Sequence, residues 1–420
     1  MRHLIFLAWR SAWNRRLTLG LVTIAVALSV MLLLGVERLR HDARESFSQS
    51  VAGTDLVVGA RTSPVQLMLY AIFRMGEATS NMSWNSVQDL ARHPSVDWVV
   101  PLSLGDSHRG FPVVGTIPEY FKHFKYGSSR ALTLQDGQAF EALFETVLGA
   151  DVAQKLGYKV GDKIILNHGL RDVALTAHDD KPFTVTGILA RTGTPVDRSV
   201  HISLEAMEAI HLDWQGGAPI PGVSIPAEYV RKFDLTPKTV TAVLIGLENR
   251  ASVFRVQRFI NEYKNEALVA VLPGVALDQL WQVVGIVEKT LLLVSAMVVL
   301  VGLGGLMAVI LAGLNERRRE LAILRSVGAQ PAHVFLMLVM EGLGITLLGS
   351  LLGLILLSGM SFVIGPLAEA HYGLSLNLAF LTMQELPLLA AVIAVGLLAS
   401  LLPGYRAYRL SLSDGLTPRL

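Results

Sequence analysis

Asn315 to Gly349 reads NERRRELAILRSVGAQPAHVFLMLVMEGLGITLLG, and this stretch decides the architecture. Arg317, Arg318, Arg319 and Glu320, followed by Leu321, Ile323 and Leu324, predict a short amphipathic helix. Gly328 suits a left-handed C-cap, and Pro331 prevents the helix from continuing. An apolar run then starts at Val334 and reaches about Ile364, interrupted by one carboxylate, Glu341. On the other side of the arginines lies a second apolar run, from about Thr290 to Leu314. About 20 apolar residues span a bilayer, so the quoted stretch is an Arg-rich turn between two membrane spans.

Working outward, Leu17 to Val36 and Leu386 to Leu402 are long and apolar enough to be further spans, giving one N-terminal and three C-terminal helices. The first is too long for the apolar core of a signal peptide. No small-x-small site precedes Glu37-Arg38-Leu39-Arg40, so it is expected to stay as an anchor. The composition agrees, with 52% hydrophobic and 17% charged residues and a mean hydropathy of +0.48. Net charge is +2, which gives nucleic-acid binding no electrostatic support. The arginines are placed asymmetrically: Arg2, Arg10, Arg15 and Arg16 before the first span, the cluster at Arg317, and Arg406, Arg409 and Arg419 after the fourth. By the positive-inside rule both termini and the Arg-rich turn are cytoplasmic, and the segment from Glu37 to Lys289 lies outside. There is no cysteine, hence no disulfide or thiolate metal site.

The expected organisation is an α-helical membrane protein with a large mixed α/β extracytoplasmic domain inserted between helices 1 and 2. Phe6, Trp9 and Trp13 predict an interfacial helix over 1–16. A span and stalk follow at 17–50, the outer domain at 51–274, a stalk and second span at 275–314, and a cytoplasmic segment at 315–333. The third span is expected at 334–366, an outer loop at 367–385, the fourth span at 386–404 and a tail at 405–420. Val36, Leu39, Ala43 and Phe47 form one stalk stripe, and Leu280, Val283, Val284 and Val287 another to pack against it. In the outer domain, Asp55 to Val58, Trp98 to Val100, Phe183 to Leu189 and Val240 to Gly246 read as strands, Ser86 to Arg92 as helix, and Gly216 to Pro226 as loop. Gly302, Gly305, Gly349 and Gly353 are candidates for close helix packing, the last two in a GxxxG spacing. Glu341 lies about 12 Å inside the third helix and is expected to snorkel or to meet an arginine of the N-terminal segment.

Two further stretches join the first in a family resemblance. They are VLGADVAQKLGYKVGDKIIL (Val147 to Leu166) with FTVTGILARTGTPVDRSVHISLEAM (Phe183 to Met207), and the ending PGYRAYRLSLSDGL (Pro403 to Leu416). With the Asn315 to Gly349 stretch, they resemble the MacB/FtsX-type ABC permeases. The resemblance implies that Glu316, Arg319, Glu320, Leu321, Ile323, Leu324, Arg325, Val327, Gly328 and Ala329 couple the chain to a cytoplasmic ABC ATPase. It also implies a second permease copy, as homodimer or related heterodimer, with a periplasmic adaptor or substrate-binding protein and membrane lipid as further partners. The implied setting is the bacterial inner membrane. The implied work is mechanotransmission: ATP hydrolysis moves the outer domain to export a substrate or extract it from the outer face. The alternatives are an FtsX-like complex activating a cell-wall hydrolase, or a metal-handling ABC system.

The sequence contains no Gly-Lys dipeptide and so no phosphate-cradling G-x-x-x-x-G-K-[ST] loop; ATP and Mg are expected on the partner ATPase, with no cofactor in this chain. HExxH, G-x-S-x-G and CxxC are likewise absent, and no catalytic residue is expected. The outer His168, His178, Asp179 and Asp180 carry donor atoms suited to a metal, but scattered histidines are more often solvated surface or satisfied structural groups, so no metal site is expected.

Overall fold

The structure, a computed structural model, describes residues 15–127, 129–169, 178–215, 218–220, 223, 225–316, 321, 323, 325–326, 328–372 and 376–409. The interfacial helix expected over 1–16 therefore lies outside the described residues except for Arg15 and Arg16. In chain order the helices are α1 (Arg16–Gln49), α2 (Pro64–Ala71), α3 (Trp84–Ala91), α4 (Glu119–His123), α5 (Ala150–Leu156), α6 (Leu204–Ile210), α7 (Val253–Asn261), α8 (Pro273–Glu316), α9 (Pro331–Tyr372) and α10 (Glu385–Arg409). The chain divides into two compact units: one takes in residues up to Asp42, Gly285–Ala368 and Ser375 onward, the other Ala43–Val284 with Glu369–Leu374.

In the first unit α1, α8, α9 and α10 each contain a stretch long and apolar enough to cross a membrane. Their apolar residues sort onto two faces. Val26, Val30 and Leu34 of α1 pack with Leu303, Leu306 and Ile310 of α8, Leu338, Ile345 and Leu354 of α9, and Val392 of α10. Leu17, Leu21, Ile24, Leu28 and Leu32, at helical spacing on the other side of α1, stay exposed. Lipid is as apolar as leucine, so helix association there relies on close packing of small residues. A Cβ at Gly349 would lie 2.7 Å from Val26 Cγ1, and one at Gly353 2.7 Å from the Ala27 carbonyl oxygen. The GxxxG pair thus seats α9 on α1 within one chain. Gly302 sits beside Ser29 Oγ, whereas a Cβ at Gly305 would meet nothing within 4 Å.

The helix that holds the third span, α9, continues through Pro366 to Tyr372; proline's fixed φ is helical, although its ring forfeits one hydrogen bond and crowds the carbonyl four residues earlier. Beyond the span, the buried side of α1 is not the stripe containing Leu39, which is 51% exposed; it carries Glu37, Arg38 and Asp42. These polar groups can be buried because each has a partner. Arg38 meets Glu385, Glu37 meets Arg40, and Asp42 accepts from the Asn377 amide at 2.8 Å. Ion pairs Arg40–Glu288 (3.8 Å) and Arg44–Asp278 (3.0 Å) join α1 to α8 where the apolar stripes were expected to meet.

The second unit is built on one mixed sheet. Its strands are β1 (Leu56–Ala60), β2 (Val96–His108), β3 (Phe111–Thr116), β4 (Leu134–Gly137), β5 (Glu145–Leu148), β6 (Lys163–Ile164), β7 (Asn167–His168), β8 (Phe183–Leu189), β9 (Val200–Ser203), β10 (Ala242–Leu247) and β11 (Leu268–Val271). The order is β11-β1-β10-β2-β3-β9-β5-β8-β4, with β7 on β2 and β6 on β8. The β3–β9 and β5–β8 pairs are parallel. Side chains alternate across a strand, and here both faces are covered. Ala242 and Leu244 of β10 enter one core with Val57, Leu102 and Val147. Val243, Ile245 and Leu247 enter another with Val256 and Ile260 of α7. Phe183, Val185, Val200 and Ile202 form a third core with Ala206 and Ile210 of α6. That explains why β10 reads as an unbroken apolar run. Serine caps start α3 and α6, where Ser83 and Ser203 accept from the amides of Ser86 and Ala206.

Candidate functional site

Three places carry chemistry. The first is the Arg-rich turn. Glu316 closes α8, and Gly328 has φ +104°, a conformation suited to glycine at a helix end. Arg319, Glu320, Leu324 and Val327 lie outside the described residues. Leu321 is 6% exposed and packs in the membrane core, while Ile323 is 60% exposed. The two lie on different sides of the turn, in keeping with the offset of about 200° between positions two apart on a helix. Arg325 is half-buried, and Gly328 and Ala329 lie at the surface or close to it.

The second is a pair of ion pairs among the membrane helices. Arg15 Nη2 donates to Glu341 Oε1 at 2.5 Å, as the position of Glu341 suggested. Sequence reading missed the other. Arg38 donates through Nε and Nη2 to the two carboxylate oxygens of Glu385, at 2.7 and 2.9 Å, with side chains 2% and 0% exposed. This two-pronged geometry is the strongest an arginine offers a carboxylate. Glu385 also accepts from the Thr382 amide at 2.9 Å, fixing the start of α10.

The third lies in the outer unit. Register places His168 of β7 opposite Asp106 of β2. His211 follows the last turn of α6 and is held by its Nδ1 against the Met207 carbonyl at 2.8 Å. His178 joins them through its backbone, whose amide donates to the Leu166 carbonyl at 2.9 Å. The His178–Lys181 turn is anchored because the buried Lys181 ammonium donates to Asp180 and to both oxygens of Asp213. Asp180 is thus committed to Lys181, and Asp179 is exposed. His168 and His178 do come together, but with Asp106 and His211, which the sequence did not single out. Burial pushes Asp106 upward, but hydrogen bonds from His168 and His211 outweigh it and hold the carboxyl at about 2. Burial pulls His178 down to about 4. It also pulls His211 down, but the Asp106 carboxylate and the Met207 carbonyl more than compensate and leave it raised.

Comparison with known proteins bears on the whole chain. The MacB-like periplasmic core domain matches residues 17–263, and the FtsX-like permease C-terminal domain matches residues 292–412. The macrolide export ATP-binding/permease protein MacB of Burkholderia thailandensis is 36% identical over 88 residues, 19% of this chain and 14% of that protein. The periplasmic region of MacB from Actinobacillus actinomycetemcomitans superposes on 55% of this chain and 94% of its own, with TM-score 0.33 and 8% identity. The extracellular domain of the noncanonic ABC-type transporter YknZ from Gram-positive bacteria covers 52% of this chain and 99% of its own, with TM-score 0.29 and 13% identity. The periplasmic-domain match reaches from α1 through α7, and the permease match takes in the α8 to α10 region with the Arg-rich turn. One apolar helix before a mixed α/β domain and three after it are thereby accounted for together, and the chain belongs to the MacB/FtsX-type family of ABC-transporter permeases.

Proposed function

We propose that this chain is the membrane subunit of an ABC complex in which ATP hydrolysis by a cytoplasmic ATPase subunit moves the outer domain, for export of a substrate or its extraction from the outer face of the inner membrane. The observation that best supports this reading is that α1 and α8 are single helices leading from the apolar spans into the outer unit. With 34 and 44 residues they measure about 51 and 66 Å at about 1.5 Å per residue, against about 30 Å of hydrocarbon. Only Leu272 separates β11 from α8, so a displacement of that helix is passed to the sheet without a slack linker. ATP and Mg belong to the partner, and a second permease copy, identical or related, completes the membrane part. The scarcity of charge in the spans favours work on the outer face over passage of a polar solute, since ionisable groups within a bilayer mark solute pathways and Glu341 is already engaged by Arg15.

The exposed Ile323 in the Arg-rich turn is the docking contact for the ATPase. Ile323→Asp is expected to abolish permease-stimulated ATP hydrolysis while the chain still inserts and folds; full stimulation would place docking elsewhere. Because the chain has no cysteine, orientation is read from single substitutions. A membrane-impermeant maleimide should label Asp136→Cys in intact spheroplasts and label Ile323→Cys only after lysis. The reverse pattern would overturn the cytoplasmic assignment.

A further inference from the structure

The four donor groups in the outer unit converge on one point. His168 Nδ1 is 2.9 Å from Asp106 Oδ1 and 3.1 Å from His211 Nε2, and His211 Nε2 is 3.5 Å from Asp106 Oδ1. With His178 added, one ligand atom from each residue lies within 4.8 Å of all the others. Zinc–nitrogen and zinc–oxygen bonds of about 2.0–2.2 Å in a tetrahedron set the donors about 3.3–3.6 Å apart, so the 3.5 Å separation already fits and the other two need open by only a few tenths of an ångström. We infer that Asp106, His168, His178 and His211 form a His3Asp site for one divalent transition-metal ion of the zinc type.

Unsatisfied atoms point the same way. Both ring nitrogens of His178 and Oδ2 of Asp106 are buried without a hydrogen-bond partner. Groups in that position are rare, because each forfeits its water with nothing in return. A cation at the centre of the four residues would take one ring nitrogen of His178 and the Asp106 carboxylate as ligands. It would also resolve the His168–His211 approach, where two imidazole nitrogens face one another and the same carboxylate oxygen. The outer contacts favour it as well. With Nδ1–H of His211 donating to the Met207 carbonyl, Nε2 presents its lone pair inward, the usual way a backbone carbonyl fixes a ligand tautomer. Trp214 stacks on the group, with ring centroids 4.5 Å from His178, 5.0 Å from His168 and 5.7 Å from His211. Access is provided by a cavity of about 290 Å³ whose wall includes Gly105, Asp106, His168 and Gly169.

The donor set chooses the ion. Three imidazoles and one carboxylate suit zinc, cobalt, nickel or copper, whereas magnesium and calcium prefer oxygen-only shells. Four protein ligands fill a tetrahedron and leave no open position for reactive water, so the ion is held and not used for hydrolysis. It would tie β2 and β7 to the end of α6.

The test uses the full chain in detergent, stripped with a chelator and reloaded with zinc. The expected result is about one zinc per chain by elemental analysis, and, with cobalt substituted, the intense visible bands of a tetrahedral ion. His168→Ala, at a site about one-third exposed, should fold yet bind zinc about 100-fold more weakly or worse. His178→Gln should do the same, with His93→Ala unchanged as the control. Folding of each variant is followed by circular dichroism without metal. Folded wild-type chain that takes up less than a tenth of an equivalent at micromolar free zinc would overturn the proposal. Undiminished binding in both His168→Ala and His178→Gln would do so too. None of these readouts depends on the permease reading.

Discussion

In the membrane unit Arg38 and Glu385 are 2% and 0% exposed and grip one another through two hydrogen bonds. In the outer unit His178 is 1% exposed, and neither ring nitrogen has a hydrogen-bond partner. The contrast reflects what each surrounding can lend. Charges buried between packed helices are removed from water, so each keeps its counter-charge from the same protein. An aqueous domain can leave donors open around a common centre, because an ion reaching it through solvent completes the set.

The sharpest way to break this contrast is to remove the counter-charge. Glu385→Ala strands the Arg38 guanidinium and should lower stability by about 3–5 kcal/mol, read as a fall in the thermal midpoint in detergent. Arg38→Met combined with Glu385→Leu should recover most of it. A single variant as stable as the wild type would mean that the pair is not buried in the working protein. The second pair grades the effect. Arg15 is 16% exposed, so water can reach it when its partner is neutralised. Glu341→Gln should lose about 1.5 kcal/mol and leave ATP-dependent work on the outer substrate intact. Loss of that work with stability retained would make Glu341 part of a substrate path.

A pH-dependent effect is expected from a buried imidazole outside the cluster. Burial, reinforced by the charge of Arg74, holds His201 down from 6.5 to about 3. As pH falls below 6.5 the unfolded chain takes up a proton that the folded chain refuses until about pH 3, so stability declines through that window and is unaffected above it. The thermal midpoint measured in chelator should drop between pH 6.5 and 4.5, with His178 adding to the slope. In His201→Phe the slope should be shallower. An equal slope in both would remove His201 as its source.

Much of the architecture was legible because it depends on local periodicity. The four spans, the strand Phe183–Leu189 and the helix over Trp84–Ala91 follow from repeats of 3.6 and 2, which each segment carries by itself. The limits of that reading are equally physical. Leu39 belonged to an apolar stripe by spacing, yet the bundle buried Glu37, Arg38 and Asp42, since partners on other segments made those charges the better fit. Leu321 and Ile323 are both apolar and two positions apart, yet one is buried and the other exposed, which spacing in the sequence does not say.

The sequence by itself determined that the chain carries four apolar helices around a large mixed domain, which family it resembles, and where its arginines fall. Only the tertiary structure decided which polar residues meet. Asp106 and His168 are 62 residues apart, His168 and His211 43, and Arg38 and Glu385 347. A helix or strand repeats its own pattern within a few residues, so its signal is written locally. A meeting of residues this distant exists only once strand register and helix packing have closed the loops between them, and no spacing along the chain encodes it.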